Sequence, residues 1–128
     1  MILTNLINGL APTEKKFNDV LINGINVNSR EVSPGSLFVA IEGHTNDGHS
    51  FVNDAFKNGA SAVISEKHQA SEIDKPQIIV RDTRKAVSII SSRFYDNPSK
   101  ELVIIGVTGT NGKTTTSYII KECLSQAG

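Results

Sequence analysis

Leu102-Val103-Ile104-Ile105-Gly106-Val107-Thr108-Gly109-Thr110-Asn111-Gly112-Lys113-Thr114-Thr115-Thr116 is the stretch that most narrows what this chain can fold into. An apolar run feeds a glycine-rich turn, and the turn feeds a segment compatible with a helix. In that order the parts read as a buried parallel strand, a phosphate-binding loop and a helix, because backbone N–H groups converge at a helix start where the macrodipole also favours negative charge. Lys113 would add a point charge for β- and γ-phosphates, and the Thr114 hydroxyl would be a magnesium ligand. The strict spacing G-x-x-x-x-G-K-[ST] is not met, since Val107 stands where its first glycine belongs. Gly109 and Gly112 still bracket a turn that lets backbone approach phosphate. The alternative is an ordinary glycine-rich turn, which has no need of a lysine followed by three threonines.

Upstream, β-prone runs alternate with helical patterns. Met1 to Leu10 places Ile2, Leu3, Leu6, Ile7 and Leu10 at helical spacing, and Thr13 to Asp19 is a polar loop. Val20-Leu21-Ile22 and Ile25-Asn26-Val27-Asn28 have strand character, the second delivering Asn28, Ser29 and Arg30 to a strand end. Leu37 to Ile41 is a continuous apolar run, expected as a central strand covered on both faces. The polar loop Glu42 to Ser50 follows it, with two of the three histidines. A helix after Phe51 stops at Asn58-Gly59, Ala60 to Ser65 reads as a strand, 67–76 as irregular, and Gln77 to Val80 as a strand. Asp82 or Thr83 then caps a helix that Asn97-Pro98 ends.

The alternation implies an α/β domain over residues 1–98, with Pro98 to Lys100 as its boundary. Residues 99–128 hold one strand, one loop and one helix with Ile119, Ile120, Cys123, Leu124 and Ala127 on its apolar face, Cys123 expected in the core. That second unit is incomplete, because a central strand needs neighbours on both edges. Leu102 to Val107 should therefore be mobile or covered by another copy. The 128 residues carry 13 basic and 13 acidic side chains, so no electrostatic footprint for nucleic acid or an anionic membrane exists, and a small-molecule partner is expected. No apolar run approaches bilayer length, and the single Cys123 excludes an intrachain disulfide. The cytoplasm is the expected compartment.

Gly109-Thr110-Asn111-Gly112-Lys113-Thr114-Thr115 resembles the ATP-binding loop of the Mur ligases, ATP-dependent enzymes that add amino acids to the cell-wall precursor UDP-N-acetylmuramic acid. In that family the loop follows this non-Walker spacing. Asn28-Ser29-Arg30, then Ser33 to Ala40, then Gly43-His44-Thr45-Asn46-Asp47-Gly48-His49-Ser50-Phe51 resemble the family's N-terminal uridine-nucleotide domain, of the type shared by the third- and fourth-step ligases. Thr110, with Thr116-Ser117-Tyr118, makes the third-step ligases the nearer match. Asn28 departs from the pattern, since the family usually carries aspartate there, although a neutral amide still hydrogen-bonds.

The resemblance implies a mixed-sheet, uridine-nucleotide-binding domain, followed by the first strand, P-loop and helix of an incomplete central domain. It implies Val27, Ser29, His44, Thr45 and Asn46 as contacts to the UDP substrate. For the loop it implies Gly109, Thr110, Asn111, Gly112, Lys113, Thr114 and Thr115 on ATP, Thr114 on Mg2+ and Lys113 as the catalytic group. The partners would be a UDP-N-acetylmuramoyl dipeptide and an amino acid: a carboxylate attacks the γ-phosphate, and the acyl phosphate is then attacked by the amine. By itself the chain is expected to be inactive, since the family's carbamylated lysine, further magnesium ligands and amino-acid-selecting domain are not in it. Other readings stay open: a fourth-step ligase that adds D-Ala-D-Ala, a free-standing nucleotide-binding module, or a small α/β protein whose loops are turns. Ser29 is equally a turn residue, Arg30 an ion-pair partner, Asp47-Gly48 a turn former and either loop histidine a solvated side chain.

Overall fold

The computed structural model describes residues 1–10, 12 and 17–127. They fall into two compact units, Met1–Asn97 and Pro98–Gly128. In the first, four short strands, β1 (Gly24–Asn26), β2 (Ser36–Val39), β3 (Ala62–Ser65) and β4 (Gln77–Ile79), pair in the order β1-β2-β3-β4. Three helices accompany them: α1 (Leu3–Ile7), α2 (Val52–Lys57) and α3 (Thr83–Phe94). Every pairing is parallel, with Ile25 opposite Leu37, Phe38 opposite Val63 and Ile64 opposite Ile78. The expected α/β class is what forms, but the sheet is wholly parallel rather than mixed. Antiparallel contact among the described residues is confined to two isolated bridges, Ile2 with Leu21 and Glu42 with Asp47.

Alternation along the two interior strands explains the apolar runs. Leu37 and Val39 of β2, with Ala62 and Ile64 of β3, face Leu3 and Leu6 of α1 and Ala86 and Ile90 of α3. Phe38 and Ala40, with Val63, face Val52, Ala55 and Phe56 of α2. Cover on both sides leaves β2 and β3 buried throughout, with apolar side chains at every position except the end serines Ser36 and Ser65. Arg93 ties the end of α3 to α1, donating from Nη1 to the Leu6 carbonyl at 2.8 Å and to that of Asn8.

Several expectations shift. The first helix is Leu3–Ile7, not Met1 to Leu10, because the chain start pairs with the segment expected as a strand at 20–22. Leu3 N donates to Val20 O at 2.9 Å and Ile22 N to Met1 O at 2.8 Å. Of the loop expected over Thr13 to Asp19, residues 13–16 lie outside the described residues. Asp82 caps α3 as expected, accepting from Lys85 N at 2.9 Å. The helix ends ahead of Pro98, where Asp96 and Asn97 turn into the left-handed region that their short polar side chains tolerate.

In the second unit, α4 (Lys113–Ala127) forms as the spacing predicts. The strand expected over 102–107 does not: the segment has no ladder partner among the described residues, and Val103 is 94% exposed. A strand exists only through its neighbours, so this sequence supplies an extended segment without a sheet. Cys123, expected in the core, is exposed on α4, none of whose described residues is buried.

Candidate functional site

In the first unit the chemistry-bearing residues gather beyond the carboxyl ends of the strands, the edge where parallel α/β sheets read ligands. The chain leaving β1 enters a 3-10 turn, Ser29–Glu31, capped by Asn28. The Asn28 Oδ1 accepts from Arg30 N at 3.1 Å, and its Nδ2 donates to Glu31 Oε1 at 2.9 Å. An aspartate could make the first bond but not the second. The Asn28 departure is thus matched by Glu31, a partner that wants a donor. Asn58 Nδ2, just past α2, donates to Ser29 O at 2.9 Å and fixes the buried serine's backbone.

After β2 the chain makes a tight loop. Glu42 and Asp47 pair across it, Gly43 N donates to Asn46 O at 2.9 Å and Gly48 N to Ile41 O at 3.0 Å. Gly48 is required there by space, since a Cβ would stand 2.6 Å from Ile41 O and 2.7 Å from Ile41 N. His44, Thr45 and Asn46 are exposed on this loop. Val27, Ser29 and Asn46 come together in a cavity of about 380 Å³ lined also by Arg30, Phe38 and Phe51. His44 lines a second one of about 350 Å³ with Glu42, Glu66, Thr83 and Arg84. Of the five residues singled out for the UDP substrate, four are thus divided between two cavities, and Thr45 lines neither. Arg30 has no ion pair among the described residues.

His49 is the residue that the sequence reading missed. It is 4% exposed, not a solvated loop side chain. Its Nε2 accepts from Glu66 N at 3.0 Å, which places the proton on Nδ1, and Nδ1 donates to Asp47 Oδ1 at 2.6 Å. The His49 backbone N–H, at 2.9 Å from the same oxygen, and then the ring hold the Asp47 carboxyl below the usual carboxylate range. Glu66 Oε1 accepts from both Thr83 N and Thr83 Oγ1 at 3.0 Å, and Arg84 Nη2 donates to Glu42 O at 2.9 Å. The only local signal for any of this was the Asp-Gly-His spacing, in which Asp47 caps the 3-10 turn Gly48–Phe51.

In the second unit, Gly109 to Thr115 run into the start of α4. Gly112 adopts φ +75° with open space where a Cβ would be, a conformation that favours glycine. Thr116 N donates to Gly112 O at 2.9 Å, so the N–H groups ahead of it are the unpaired start of the helix. Lys113 Nζ reaches back over the loop to Gly109 O at 2.5 Å. Exposed glycine backbone, a helix start and an ammonium on one loop suit a polyphosphate, and the Thr114 hydroxyl stands on the first turn beside them. No helix among the described residues is long and apolar enough to cross a membrane.

The Mur ligase family, catalytic domain, matches residues 21–95. A UDP-N-acetylmuramoyl-L-alanyl-D-glutamate–2,6-diaminopimelate ligase of Bacillus velezensis is 46% identical over 130 residues, covering all of this chain and 26% of the relative. The ligase of that name from Aquifex aeolicus is 48% identical over 107 residues, covering 84% of this chain and 22% of the relative. Among solved structures, a MurF from Acinetobacter baumannii superposes with a TM-score of 0.67 at 27% identity, covering 96% of this chain and 27% of that one. MurF ligase from Thermotoga maritima in complex with ADP gives a TM-score of 0.59 at 33% identity, covering 73% and 21%. The chain therefore spans about a quarter of the length of the relatives it matches. With the family matched across most of the first unit and relatives aligned through the glycine loop of the second, the chain belongs to the Mur ligase family.

Proposed function

We propose that this chain is the amino-terminal part of an ATP-dependent ligase that adds the third peptide residue to UDP-N-acetylmuramoyl-L-Ala-D-Glu in peptidoglycan precursor synthesis. Residues 1–98 bind the UDP substrate, and 99–128 begin the ATP-binding domain. The observation that carries the reading is the pairing, in one chain, of a cavity at the carboxyl edge of a parallel sheet with a glycine-and-lysine loop at a helix start. Identities of 46% and 48% to ligases of the third step, against 27% and 33% to the MurF structures, favour that step over the fourth. The relatives' names make diaminopimelate the amino acid to test in the whole enzyme. With a nucleotide-linked substrate and ATP, the reaction would run in the cytoplasm.

In the first unit Val27 offers an apolar surface, while Ser29 and Asn46 offer donors and acceptors for a uracil edge or a ribose. His44, Thr45 and Asn46 lie on the loop toward which the diphosphate would extend. In the second, the backbone of Gly109, Thr110, Asn111 and Gly112, with Thr115, would cradle ATP. Lys113 would neutralise charge on the transferred phosphoryl group, and Thr114 would hold Mg2+. Bound ATP with Mg2+ supplies the activated phosphoryl group that turns the substrate carboxylate into an acyl phosphate. The remaining catalytic groups would come from the rest of the ligase.

Titrating the isotopically labelled chain with a UDP-N-acetylmuramoyl dipeptide and, separately, with Mg-ATP tests this. Amide shifts are expected around Val27, Ser29, His44 and Asn46 with the first ligand, and weaker ones over 109–115 with the second. No response near Ser29 and His44 to the UDP ligand would sink the reading.

A further inference from the structure

We propose that His49 and Arg84 are positioning residues, holding the loop 42–47 to the ends of β3 and α3 so that His44 and Asn46 meet a uridine nucleotide in a fixed geometry. The proposal rests on the reading of the first unit as a UDP-substrate domain, and it concerns residues outside the contacts assigned there.

The hydrogen bonds form a closed ring. Beginning on the loop, Asp47 accepts from His49, and His49 accepts from Glu66 N at the end of β3. Glu66 in turn holds Thr83 through its backbone N–H and hydroxyl at the first residue of α3. The next residue, Arg84, returns to the loop by donating to Glu42 O, and Glu42 pairs with Asp47. Each anchor crosses a long stretch of chain: His49 and Glu66 are separated by 17 residues, and Arg84 and Glu42 by 42. The cavity that His44 lines sits inside this ring, between Glu42, Glu66, Thr83 and Arg84.

Without these two anchors, the bonds left to the loop among the described residues stay within 41–50: its internal pairing, Gly48 N to Ile41 O, and the bonds of His49 N, Ser50 N and Ser50 Oγ to Asp47. Nothing local would then set the distance between the loop and the 3-10 turn that carries Ser29. A ligand touching both would have to order the loop on binding, and that ordering lowers affinity. His49 suits the task because a neutral imidazole both accepts and donates along one rigid ring. Arg84 suits it because its guanidinium reaches a backbone carbonyl from an exposed helix start without being buried.

The test uses the full 128-residue chain with uridine diphosphate as the probe, in wild type, Arg84→Ala, His49→Ala and His49→Gln. Amide hydrogen exchange is measured without ligand, and affinity by titration. Arg84→Ala is expected to weaken UDP binding about five-fold and His49→Ala about ten-fold, as the loss of one or two hydrogen bonds implies. In both, the Gly43 and Gly48 amides should exchange faster while β2 and β3 keep their protection. His49→Gln should recover part of both effects, because its amide oxygen can take the Glu66 N–H. Loop exchange unchanged in both alanine variants overturns the proposal, as does faster loop exchange with unchanged UDP affinity. If His49→Ala loses protection throughout the sheet, Arg84→Ala, an exposed substitution, decides between these outcomes. A wild-type chain that ignores UDP overturns the nucleotide reading and this proposal together; wild-type binding that the variants leave intact overturns only this one.

Discussion

Asn28 illustrates how one side chain's identity is set by its neighbour. It caps the 3-10 turn with its oxygen and donates its amide to Glu31, so Asn28→Asp would remove a donor and set two carboxylates together. The substitution should cost roughly 0.5–1 kcal/mol in denaturant unfolding at neutral pH, and clearly less in a Glu31→Gln background. Equal losses in the two backgrounds would show that the pairing contributes nothing. Asp47 makes a pH-dependent counterpart. Its folded-state pKa is lowered by the His49 N–H and ring, so its contribution is complete above the ordinary carboxylate value and is lost as pH falls below that value toward the depressed one. Protection of the Gly43 and Gly48 amides should fall in that acidic window in wild type. In Asp47→Asn it should be lower at neutral pH and nearly flat on acidification. At this scale the sequence was only partly readable. Asp82 announced itself as a cap because its partner, Lys85 N, is local. His49 did not, because its burial depends on an N–H at the end of β3.

Among the elements, β2 and the segment 102–107 carry comparable apolar runs and meet opposite fates. Leu37 to Val39 are buried between two helical layers, while Val103 and Ile105 line an open apolar groove with Ile120 and Leu124 of α4. Apolar content told which residues want cover, and it could not tell whether cover is present. The same gap explains Cys123, whose place on the apolar stripe of α4 was legible while its exposure was not. Exposed apolar surface of this kind drives association. Sedimentation of the chain should therefore show concentration-dependent self-association that Val103→Lys suppresses, with amides 103–107 exchanging at near-unprotected rates in the monomer. A monomer at high concentration with those amides protected would contradict this.

For the whole molecule, the α/β class and the existence of β2, β3, α2 and α3 followed from periodicity and turn residues, since those signals are local. The direction of strand pairing was not local, and the expectation of a mixed sheet failed there. Parallel pairing is decided by how far each connection carries the chain before it returns. Here 27–35 and 66–76 make that return with no α-helix, only α2 supplying one between β2 and β3. Two motif groups pointed to the family because their residues cluster in sequence. The division between two cavities of the residues expected at the UDP substrate was invisible, since it arises from how the 42–47 loop stands between the carboxyl ends of β1 and β3.

The strand order carries a consequence for how such a chain is made. Each strand of the first unit pairs with the one translated just before it, from β1 through β4. No strand has to wait for a distant partner or be threaded between two others already in place. On a ribosome, the sheet can therefore grow in the direction of synthesis, one edge at a time, with α2 covering one face before β3 is joined. The opposite face closes when α3 arrives to pack beside α1. By then the cavity between β1 and β2 already has its walls, and the first residues of α3 to emerge, Thr83 and Arg84, are those that fasten the 42–47 loop beside it.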